Sequence, residues 1–457
     1  MIVMKFGGTS VQDAQAIDRV AAIVRERLKE KPVVVVSALA KITDQLLAMA
    51  SAAGSGDRDK ALGLSRAARE RHYNTAVDLL GTHAFEQIAP ELDADFNSLD
   101  ELLRGVVAVG ELTARTTDTI AGFGERVSSK IAAAAFSQRG IQAAHVDSRR
   151  CIVTDNNFSK AVPQFDETNA RLADLVKPLL DGNRVPVMGG FIGATRQGIP
   201  TTLGRGGSDF SAAIVGAGLN ATRIEIWTDV DGMMTTDPTL CPQARRIKTI
   251  SFEEAAELAY FGAKVLHPAT LLPAIQKNIP VLILNSRNPA CEGTRITATA
   301  PKSKNIFKAI AAKRRITVVD IVATRMLMAH GFLKSIFEVF ANHRCPVDMV
   351  STSEVSVSVT VDSNESIAAI AADLGKLADV KYDGRKAIVC LVGENIRNTP
   401  GIAAKVFGAI PDVNIQMISQ GASEINISFV IDESDVPQVV ARLHQAFFTD
   451  VDPAVFA

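Results

Sequence analysis

The chain has 457 residues, and its 49 Lys+Arg and 50 Asp+Glu leave a net charge of −1. A hydrophobic fraction of 47% supplies ample material for a core and excludes a largely disordered protein. The balanced charge gives no electrostatic reason to expect a nucleic-acid or membrane partner, and no stretch approaches the ~18 apolar residues that a membrane span requires.

The first ~290 residues alternate short β-rich runs with helical stretches. Between the first two runs, residues 12–28 place apolar side chains at helical spacing, and the polar, Ala/Leu-rich segment 55–118 is typical of a helical excursion. Such alternation predicts an α/β fold, mainly a parallel sheet sandwiched by helices. The predicted strands are 2–6, 32–37, 185–191, 223–227 and 280–284.

The first strand runs into Lys5-Phe6-Gly7-Gly8-Thr9-Ser10. Glycines let a backbone approach phosphate closely, a following helix start presents free N–H groups, and a lysine adds a point charge. A tight strand-to-helix turn with an exposed lysine explains the same residues. This segment is not a Walker A loop, because the chain contains no G-x-x-x-x-G-K-[ST].

A denser cluster occupies 201–209, Thr-Thr-Leu-Gly-Arg-Gly-Gly-Ser-Asp, just before the helical run 211–218. Arg205 has the forked geometry that binds a carboxylate or phosphate, and Asp209 is suited to holding lysines or a magnesium-bound nucleotide. A flexible surface loop is the alternative. Further on, Thr228 and Asp229 follow a strand and can line a nucleotide pocket, or form a plain strand-to-turn corner.

The tail beyond a predicted domain boundary at 287–305 contains an internal repeat with an offset of 70 residues. Residues 331–337 match 401–407, and the alternating strand after Ser353-Glu354 matches the one after Ser423-Glu424. Each copy is predicted to run strand, helix, strand, strand, helix. Units of ~70 residues bury modest cores, so we expect the copies to pair. A duplicated structural domain without a ligand remains an alternative.

At KFGGTSV, TTLGRGGSDF, WTDVDG with TTDP, and FGAKVLHPAT, the sequence resembles the aspartokinase family, whose catalytic part has the amino-acid-kinase fold. The tail, with GFLKSIFEVF, VSTSEVSVSVTVD and MISQGASEINISFVI, resembles that family's paired ACT regulatory domains of βαββαβ type. The resemblance covers essentially the whole chain and is greatest to the single-function, lysine-sensitive branch. It implies a catalytic domain at 1–290 and ACT-like domains at 306–382 and 383–457.

The resemblance implies transfer of the γ-phosphoryl group of ATP to the β-carboxylate of L-aspartate, with Mg²⁺ arriving on the nucleotide. The product would be 4-phospho-L-aspartate, which opens the route to lysine, threonine and methionine. Lys5 and Asp209 are the implied catalytic residues. The implied ATP contacts are Lys5, Gly7, Gly8, Thr228, Asp229, Met234 and Lys264, where Met234 replaces a tyrosine common in the family. The implied aspartate contacts are Thr43, Glu125, Arg205, Gly206, Ser208 and Asp209.

The resemblance also implies feedback inhibition by an amino acid, with lysine the expected effector. Asp348 and Glu354 suit an effector's ammonium groups, although a serine of the lysine-sensitive pattern is Ala329 here. A homodimer or higher homo-oligomer through the ACT-like units is expected. The implied effector site comprises Met326, Gly331, Phe332, Leu333, Val347, Asp348, Thr352, Ser353 and Glu354.

Two other functions remain open on the sequence alone. One is a kinase of the same fold that acts on another carboxylate or phosphate, such as glutamate or a nucleoside monophosphate. The other is a catalytically inactive amino-acid sensor. The five cysteines are scattered without a Cys-x-x-Cys pair, and the histidines form no close pair. A reducing, cytoplasmic compartment and the absence of a dedicated metal site are therefore expected.

Overall fold

A computed structural model describes residues 1–262, 271–322, 331–363 and 366–457. It divides into two compact units. The first comprises residues 1–233 and 249–252 and the described part of 265–300. The second comprises residues 234–248 and the described parts of 253–264 and 301–457. In the described ranges, no helix is long and apolar enough to cross a membrane.

The first unit is built on an eight-stranded sheet with helices packed against it, as the alternating pattern predicts. Its strands are β1 (Ile2–Phe6), β2 (Pro32–Val36), β3 (Ala143–Val146), β5 (Val185–Gly189), β8 (Ile224–Thr228), β9 (Thr249–Ser251), β10 (Val281–Asn285) and β11 (Thr294–Thr297). A separate three-stranded sheet contains β4 (Val153–Thr154), β6 (Ile192–Thr195) and β7 (Pro200–Thr202). The strand order in the large sheet is β3-β5-β2-β1-β8-β10-β11-β9, and the run from β3 to β10 is parallel throughout.

The helices of this unit are α1 (Ala14–Glu26), α2 (Ile42–Gly54), α3 (Arg58–Val109), α4 (Ala114–Ala121), α5 (Phe123–Gln138), α6 (Ser148–Cys151), α7 (Phe165–Leu175), α8 (Lys177–Asp181), α9 (Gly207–Gly218) and α11 (Leu272–Gln276). The predicted excursion is thus helical. Within it, α3 breaks at Gly81, whose φ of +70° suits glycine, and its two arms fold back on one another. Arg69 Nη2 on one arm donates to Asn97 Oδ1 on the other at 2.7 Å.

Successive side chains of β1 point to opposite faces of the large sheet. Ile2, Met4 and Phe6 join a large buried cluster with residues of α1, α2, α3 and α5. Lys5 therefore points to the opposite face of the sheet, where α9 packs against β1. Strand β2 is buried along its whole length, as expected for an inner parallel strand with both faces covered.

The second unit contains the tail repeat. Its elements are α10 (Phe252–Tyr260, of which Phe252 belongs to the first unit), β12 (Phe307–Val322), α12 (Phe332–Asn342), β13 (Val347–Thr352), β14 (Ser356–Asp362), α13 (Ile367–Leu374), β15 (Asp379–Gly393), α14 (Ile402–Gly408), β16 (Met417–Gln420), β17 (Asn426–Asp432) and α15 (Val436–Phe448). The predicted strand-helix-strand-strand-helix order appears twice. The starts of α12 and α14 and of β14 and β17 keep the offset of 70 residues.

The two copies share their long strands. Strand β12 pairs antiparallel with β15 along its whole length, so that 318–322 lie beside 379–383 and 307–314 lie beside the second half of β15. On their other sides, 316–322 of β12 pair with β14, and the second half of β15 pairs with β17. Strand β14 joins β12, and β17 joins β15, next to an arginine in left-handed conformation, Arg315 (φ +59°) or Arg385 (φ +58°), again 70 residues apart. Each copy therefore receives one edge strand from outside its own repeat.

Candidate functional site

The predicted catalytic residues of the first unit gather at one edge of the large sheet. Strands β1, β2, β5 and β8 are parallel neighbours, so their carboxyl ends lie at the same edge. The loops after them are connected by backbone hydrogen bonds. Ser37 N donates to Phe6 O at 3.0 Å, and Gly190 N donates to Val36 O at 2.8 Å. In open α/β sheets this edge is where ligands bind.

Lys5 and Asp209 form the central ion pair of this edge. Lys5 Nζ lies 2.6 Å from Asp209 Oδ1, and their side chains are only 10% and 15% exposed. Asp209 occupies the first turn of α9, where the helix dipole favours a carboxylate. The arrangement fixes a largely buried ammonium group near the end of β1.

The glycine turn after β1 packs closely against its neighbours. A Cβ atom on Gly8 would lie 3.0 Å from Ala38 O, and Ala40 N donates to Gly8 O at 3.2 Å. Gly7 N donates to Trp227 O at 3.1 Å, which joins this turn to the end of β8. The N–H of Gly7, predicted to contact phosphate, is thus already engaged by the protein in this structure.

Glu125 lies in the first turn of α5 and is 3% exposed. Its helix packs so closely on the loop after β2 that a Cβ on Gly124 would be 2.6 Å from that of Ala38. Burial raises the pKa of Glu125 to about 7, although backbone hydrogen bonds from Ala38 and from Glu125 itself oppose the rise. Its Oε2 atom is buried and has no hydrogen-bond partner among the described residues. A positively charged group would satisfy this oxygen.

The loop before α9 carries the remaining predicted aspartate contacts. Gly204 (φ +77°) and Gly206 (φ +73°) turn the chain, and α9 begins at Gly207. Ser208 packs against Gly190, where an added Cβ would lie 2.7 Å from Ser208 Cβ. Arg205 is exposed and has no ion-pair partner in the described part of the chain. Its guanidinium is therefore free to bind an anion.

The remaining predicted aspartate and ATP contacts lie outside the loop before α9. Thr43 is half-buried in the first turn of α2, which follows Lys41 with φ +68°. Thr228 Oγ1 donates to Asp229 Oδ1 at 3.2 Å at the end of β8, and Asp229 is exposed. Met234 is half-buried and belongs to the second unit. Lys264 lies outside the described residues.

Arg71 on α3 is a residue of this edge that sequence reasoning missed. Its Nη1 donates to Ala40 O at 2.7 Å and its Nη2 donates to Gln12 O at 3.2 Å. It thereby bridges the segments that follow β1 and β2. No sequence signal distinguishes it, because the excursion is rich in arginines and most such side chains on a helix are solvated.

The predicted effector residues lie in the second unit, at the start of α12 and along β13. Gly331 precedes α12 with φ +86°, and Phe332 and Leu333 open that helix. Residues 347, 348 and 352 lie on β13. Ser353 and Ser356 join hydroxyl to hydroxyl at 2.7 Å, and Glu354 is exposed. Met326 and Ala329 lie outside the described residues.

Asp348 already has partners within this unit. Its carboxylate lies 2.8 Å from Lys313 Nζ and accepts a hydrogen bond of 2.8 Å from the Tyr260 hydroxyl. Lys313 also pairs with Asp362 at 3.0 Å. Burial raises the pKa of Tyr260, and its hydrogen bond to Asp348 adds to the rise. An effector ammonium at Asp348 would therefore compete with the ammonium of Lys313.

No group of three or more His, Cys, Asp or Glu side chains is placed to hold a metal ion in the ranges that the structure describes. Carboxylates near the sheet edge, such as Asp209 and Glu125, are engaged by Lys5 or buried singly. A divalent ion at this edge would take most of its oxygen ligands from a bound nucleotide and water.

Comparison with known proteins gives consistent matches over the whole chain. The amino acid kinase family matches residues 1–285, and the ACT domain matches residues 319–372 and 389–447. Lysine-sensitive aspartokinase 3 of Escherichia coli is 36% identical over 98% of this chain and 99% of its own length. The chloroplastic aspartokinase 1 of Arabidopsis thaliana is 37% identical over 98% of this chain and 80% of its own.

Solved structures give the same result. E. coli aspartokinase III in complex with aspartate and ADP, in its R-state, has a TM-score of 0.87 at 35% identity, and the match covers 98% of this chain and 100% of that one. The same enzyme in complex with lysine and aspartate, in its T-state, has a TM-score of 0.83 at 35% identity, over 98% and 99% of the two chains.

Proposed function

The chain belongs to the aspartokinases of the amino acid kinase family, ATP-dependent kinases with ACT domains, and from this premise we propose its substrates and the roles of its residues. It transfers the γ-phosphoryl group of ATP to the β-carboxylate of L-aspartate and forms 4-phospho-L-aspartate. This step begins the biosynthesis of lysine, threonine and methionine. A related enzyme binds aspartate and ADP, which supports the assignment of both substrates.

The observation that carries the proposal is the Lys5–Asp209 ion pair at the carboxyl end of β1. Phosphoryl transfer to a carboxylate brings two anions together, so catalysis rests on charge neutralisation and positioning. Lys5 neutralises the transferring phosphoryl oxygens. Asp209 orients the Lys5 ammonium from the first turn of α9. The attacking carboxylate is ionised at pH 7, so the reaction requires no protein base.

The two ends of aspartate call for opposite charges. Arg205 binds the α-carboxylate as a bidentate partner, which its exposed guanidinium, without an ion-pair partner among the described residues, supports. Glu125 binds the α-amino group, which its buried Oε2, without a hydrogen-bond partner in the part of the chain that the structure describes, supports. The hydroxyls of Thr43 and Ser208 and the backbone of Gly206 complete the aspartate site.

The nucleotide lies along the glycine turn and the end of β8. Gly8 offers its backbone N–H to phosphate, while the N–H of Gly7 must first leave Trp227 O. Thr228 and Asp229 line the nucleotide site. Lys264 and Met234 remain predictions for the phosphates and the base. A Mg²⁺ ion bound with the nucleotide would take most of its ligands from phosphate oxygens and water and would supply further charge neutralisation.

We further propose that lysine inhibits the enzyme through the ACT-like copies, at the residues named for the start of α12 and for 347–354. A related enzyme binds lysine together with aspartate, which supports this choice. Association of two or more chains through their ACT-like units gives a homodimer or higher oligomer. The division into domains at 1–290, 306–382 and 383–457 remains a proposal, as does a cytoplasmic location.

Trapping of the acyl phosphate with hydroxylamine tests the function. The protein is incubated with ATP, Mg²⁺ and L-aspartate, with and without L-lysine, and the hydroxamate is measured. We expect hydroxamate that depends on aspartate and decreases with lysine. Hydroxamate from glutamate alone would identify a kinase for another substrate, and no product from any carboxylate would indicate a sensor. Aspartate hydroxamate unaffected by lysine would refute only the effector.

A further inference from the structure

A buried carboxylate in the first unit has no role in the site described above. Asp118 lies on α4 and is 2% exposed. Its Oδ2 accepts from Thr202 N at 2.8 Å and from Ser159 N at 2.9 Å. Its Oδ1 accepts from the Thr202 hydroxyl at 2.9 Å and from the same Ser159 N at 3.0 Å. In the described part of the chain, Asp118 has no cationic partner. A buried carboxylate costs free energy, and only backbone and hydroxyl donors compensate it here.

The two residues that Asp118 binds flank the loop that carries Arg205. Thr202 ends β7, and the next residue, Leu203, donates its N–H to Phe191 O at 2.9 Å. Ser159 has an unusual φ of +72°, and its carbonyl oxygen lies 3.0 Å from the position of a Cβ on Gly204. The loop that carries Arg205 therefore packs against Ser159 and continues directly from Thr202. The carboxylate of Asp118 accepts hydrogen bonds from both residues.

This anchorage affects the position of Arg205 because the glycines in its loop allow many backbone conformations. Gly204 and Gly206, on either side of Arg205, both have positive φ angles. Glycines lose more conformational freedom on ordering than other residues, so a loop containing them needs fixed ends. Asp118 supplies one such fixed end from the neighbouring helix α4. The position of the Arg205 backbone then depends on hydrogen bonds that never touch a ligand.

We infer that Asp118 is a positioning residue that fixes the Arg205 loop and thereby sets the affinity for the carboxylate substrate. The inference rests on the proposed role of Arg205 in binding the α-carboxylate of aspartate. It predicts a selective effect. Loss of the anchorage weakens aspartate binding, while ATP, bound at the glycine turn and the end of β8, is affected little.

Asp118→Asn in the full chain tests the inference. The amide keeps the shape but turns one acceptor into a donor. Because Ser159 N lies 3.0 Å from Oδ1 and 2.9 Å from Oδ2, that donor faces a backbone N–H in either orientation. We expect the KM for aspartate to rise about tenfold or more, as for the loss of one or two buried hydrogen bonds, and the KM for ATP to change less than twofold. A purely structural role would lower the Tm and the active fraction and leave both KM values unchanged, and that result would overturn the inference.

Thr202 provides a graded second series that does not depend on the folding of Asp118→Asn. Thr202→Val removes the hydroxyl bond alone and should raise the KM for aspartate by a smaller factor. Thr202→Ser keeps that bond and should restore the wild-type KM. If Thr202→Val and Thr202→Ser have the same aspartate KM as the wild type, the anchorage does not control substrate binding.

Combination with Arg205→Ala separates this inference from the function proposed above. If Asp118 acts through Arg205, then Asp118→Asn should change the KM for aspartate less than twofold in a protein that already carries Arg205→Ala. An undiminished effect in that background would overturn the inference. If Arg205→Ala alone leaves the aspartate KM unchanged, the proposed role of Arg205 fails and the inference with it. A wild-type protein that forms no acyl phosphate would instead refute the proposed reaction.

Discussion

The ammonium of Lys5, near the end of β1, lies 2.6 Å from the carboxylate of Asp209, in the first turn of α9. The sequence left two roles open for Asp209, holding lysines or contacting substrate. The ion pair supports the first role, in which the carboxylate would orient a cation proposed to face phosphate. A strand end and a helix start separated by about 200 residues thus form one ion pair.

Lys5→Ala should remove most of the turnover and leave the fold and effector binding intact. On the proposed role of Lys5, the variant loses the charge that faces the transferring phosphoryl group, so we expect kcat to decrease by about 10²–10³-fold. The measurement is steady-state formation of hydroxamate, with the Tm as a folding control. Lys29→Ala, at an exposed lysine, is the matched variant and should retain wild-type kcat. Near-normal turnover of Lys5→Ala would refute its role.

Glu125→Gln should stabilise the free protein above neutral pH. The pKa of Glu125 is about 7 in the folded protein against an ordinary 4.5. Below pH 4.5 the group is protonated in both states, so the variant and the wild type should be equally stable. As pH rises from 4.5 through 7, ionisation is easier in the unfolded chain, and the wild type loses up to about 3 kcal/mol relative to the variant.

Thermal unfolding at pH 4.5 to 8.5 in the absence of aspartate measures this difference. A difference in Tm that stays constant with pH would contradict the assignment. The same variant tests binding, because its amide cannot pair with the α-amino group as a carboxylate does. Its KM for aspartate should rise at least tenfold, and in the wild type that KM should rise as pH falls below about 7.

Arg71→Met should lower kcat/KM by about tenfold for both substrates, because it releases Ala40 O and Gln12 O while keeping the aliphatic stem. Arg71→Lys can restore only one of the two bonds and should be intermediate. The kinetics are compared with those of Arg66→Met, an exposed position on the same helix. Equal activities of Arg66→Met and Arg71→Met would show that the bridge is irrelevant to catalysis.

Glu354→Ala should weaken inhibition by lysine while changing kcat less than twofold. The side chain is exposed and belongs to the second unit, so its removal leaves the sheet edge of the first unit intact. We expect the lysine concentration for half inhibition to rise about tenfold. Glu338→Ala, at a surface glutamate paired with Lys334 on α12, is the control. Unchanged lysine sensitivity of Glu354→Ala would refute the effector site.

Lys313→Met should have the opposite effect on regulation. Lys313 neutralises Asp348 in the unliganded chain, so its removal frees that carboxylate for the effector ammonium. We expect inhibition at about tenfold lower lysine concentration, with Arg344→Met as a surface control. Weaker inhibition after this change would mean that Asp348 does not bind the effector. Binding of lysine by calorimetry provides the measurement independently of activity.

Local pattern predicted much of this fold. The five predicted strands occur within two residues of their predicted bounds, because a run such as Val33–Val36 is apolar enough to be buried on both faces. The offset of 70 residues likewise predicted matching helices and strands in the tail. These features follow from local periodicity and from similarity between two segments, both of which can be read directly from a sequence.

What could not be predicted depends on pairing across long distances. Alternation in 307–322 indicates a strand but does not reveal that it pairs with β15 of the other copy along its whole length, while only 316–322 also pair with β14 of its own copy. The same limit applies to Asp118 and Arg71. Their proposed roles depend on hydrogen bonds to backbone carbonyl and amide groups of distant loops, and such bonds cannot be inferred from residue types. Residue types marked Lys5 and Asp209 as candidates separately, but nothing in the sequence shows that they contact each other across about 200 residues.

Because each tail copy takes one edge strand from the other, the choice of truncation points in this part of the chain is restricted. A fragment starting at residue 316 would lack 307–314 and leave the second half of β15 with an open hydrogen-bonding edge. A fragment ending before 379 would expose 316–322 in the same way. Open edges recruit other strands and promote aggregation. A truncation that keeps both copies must therefore begin before Phe307, and neither copy should be expressed alone.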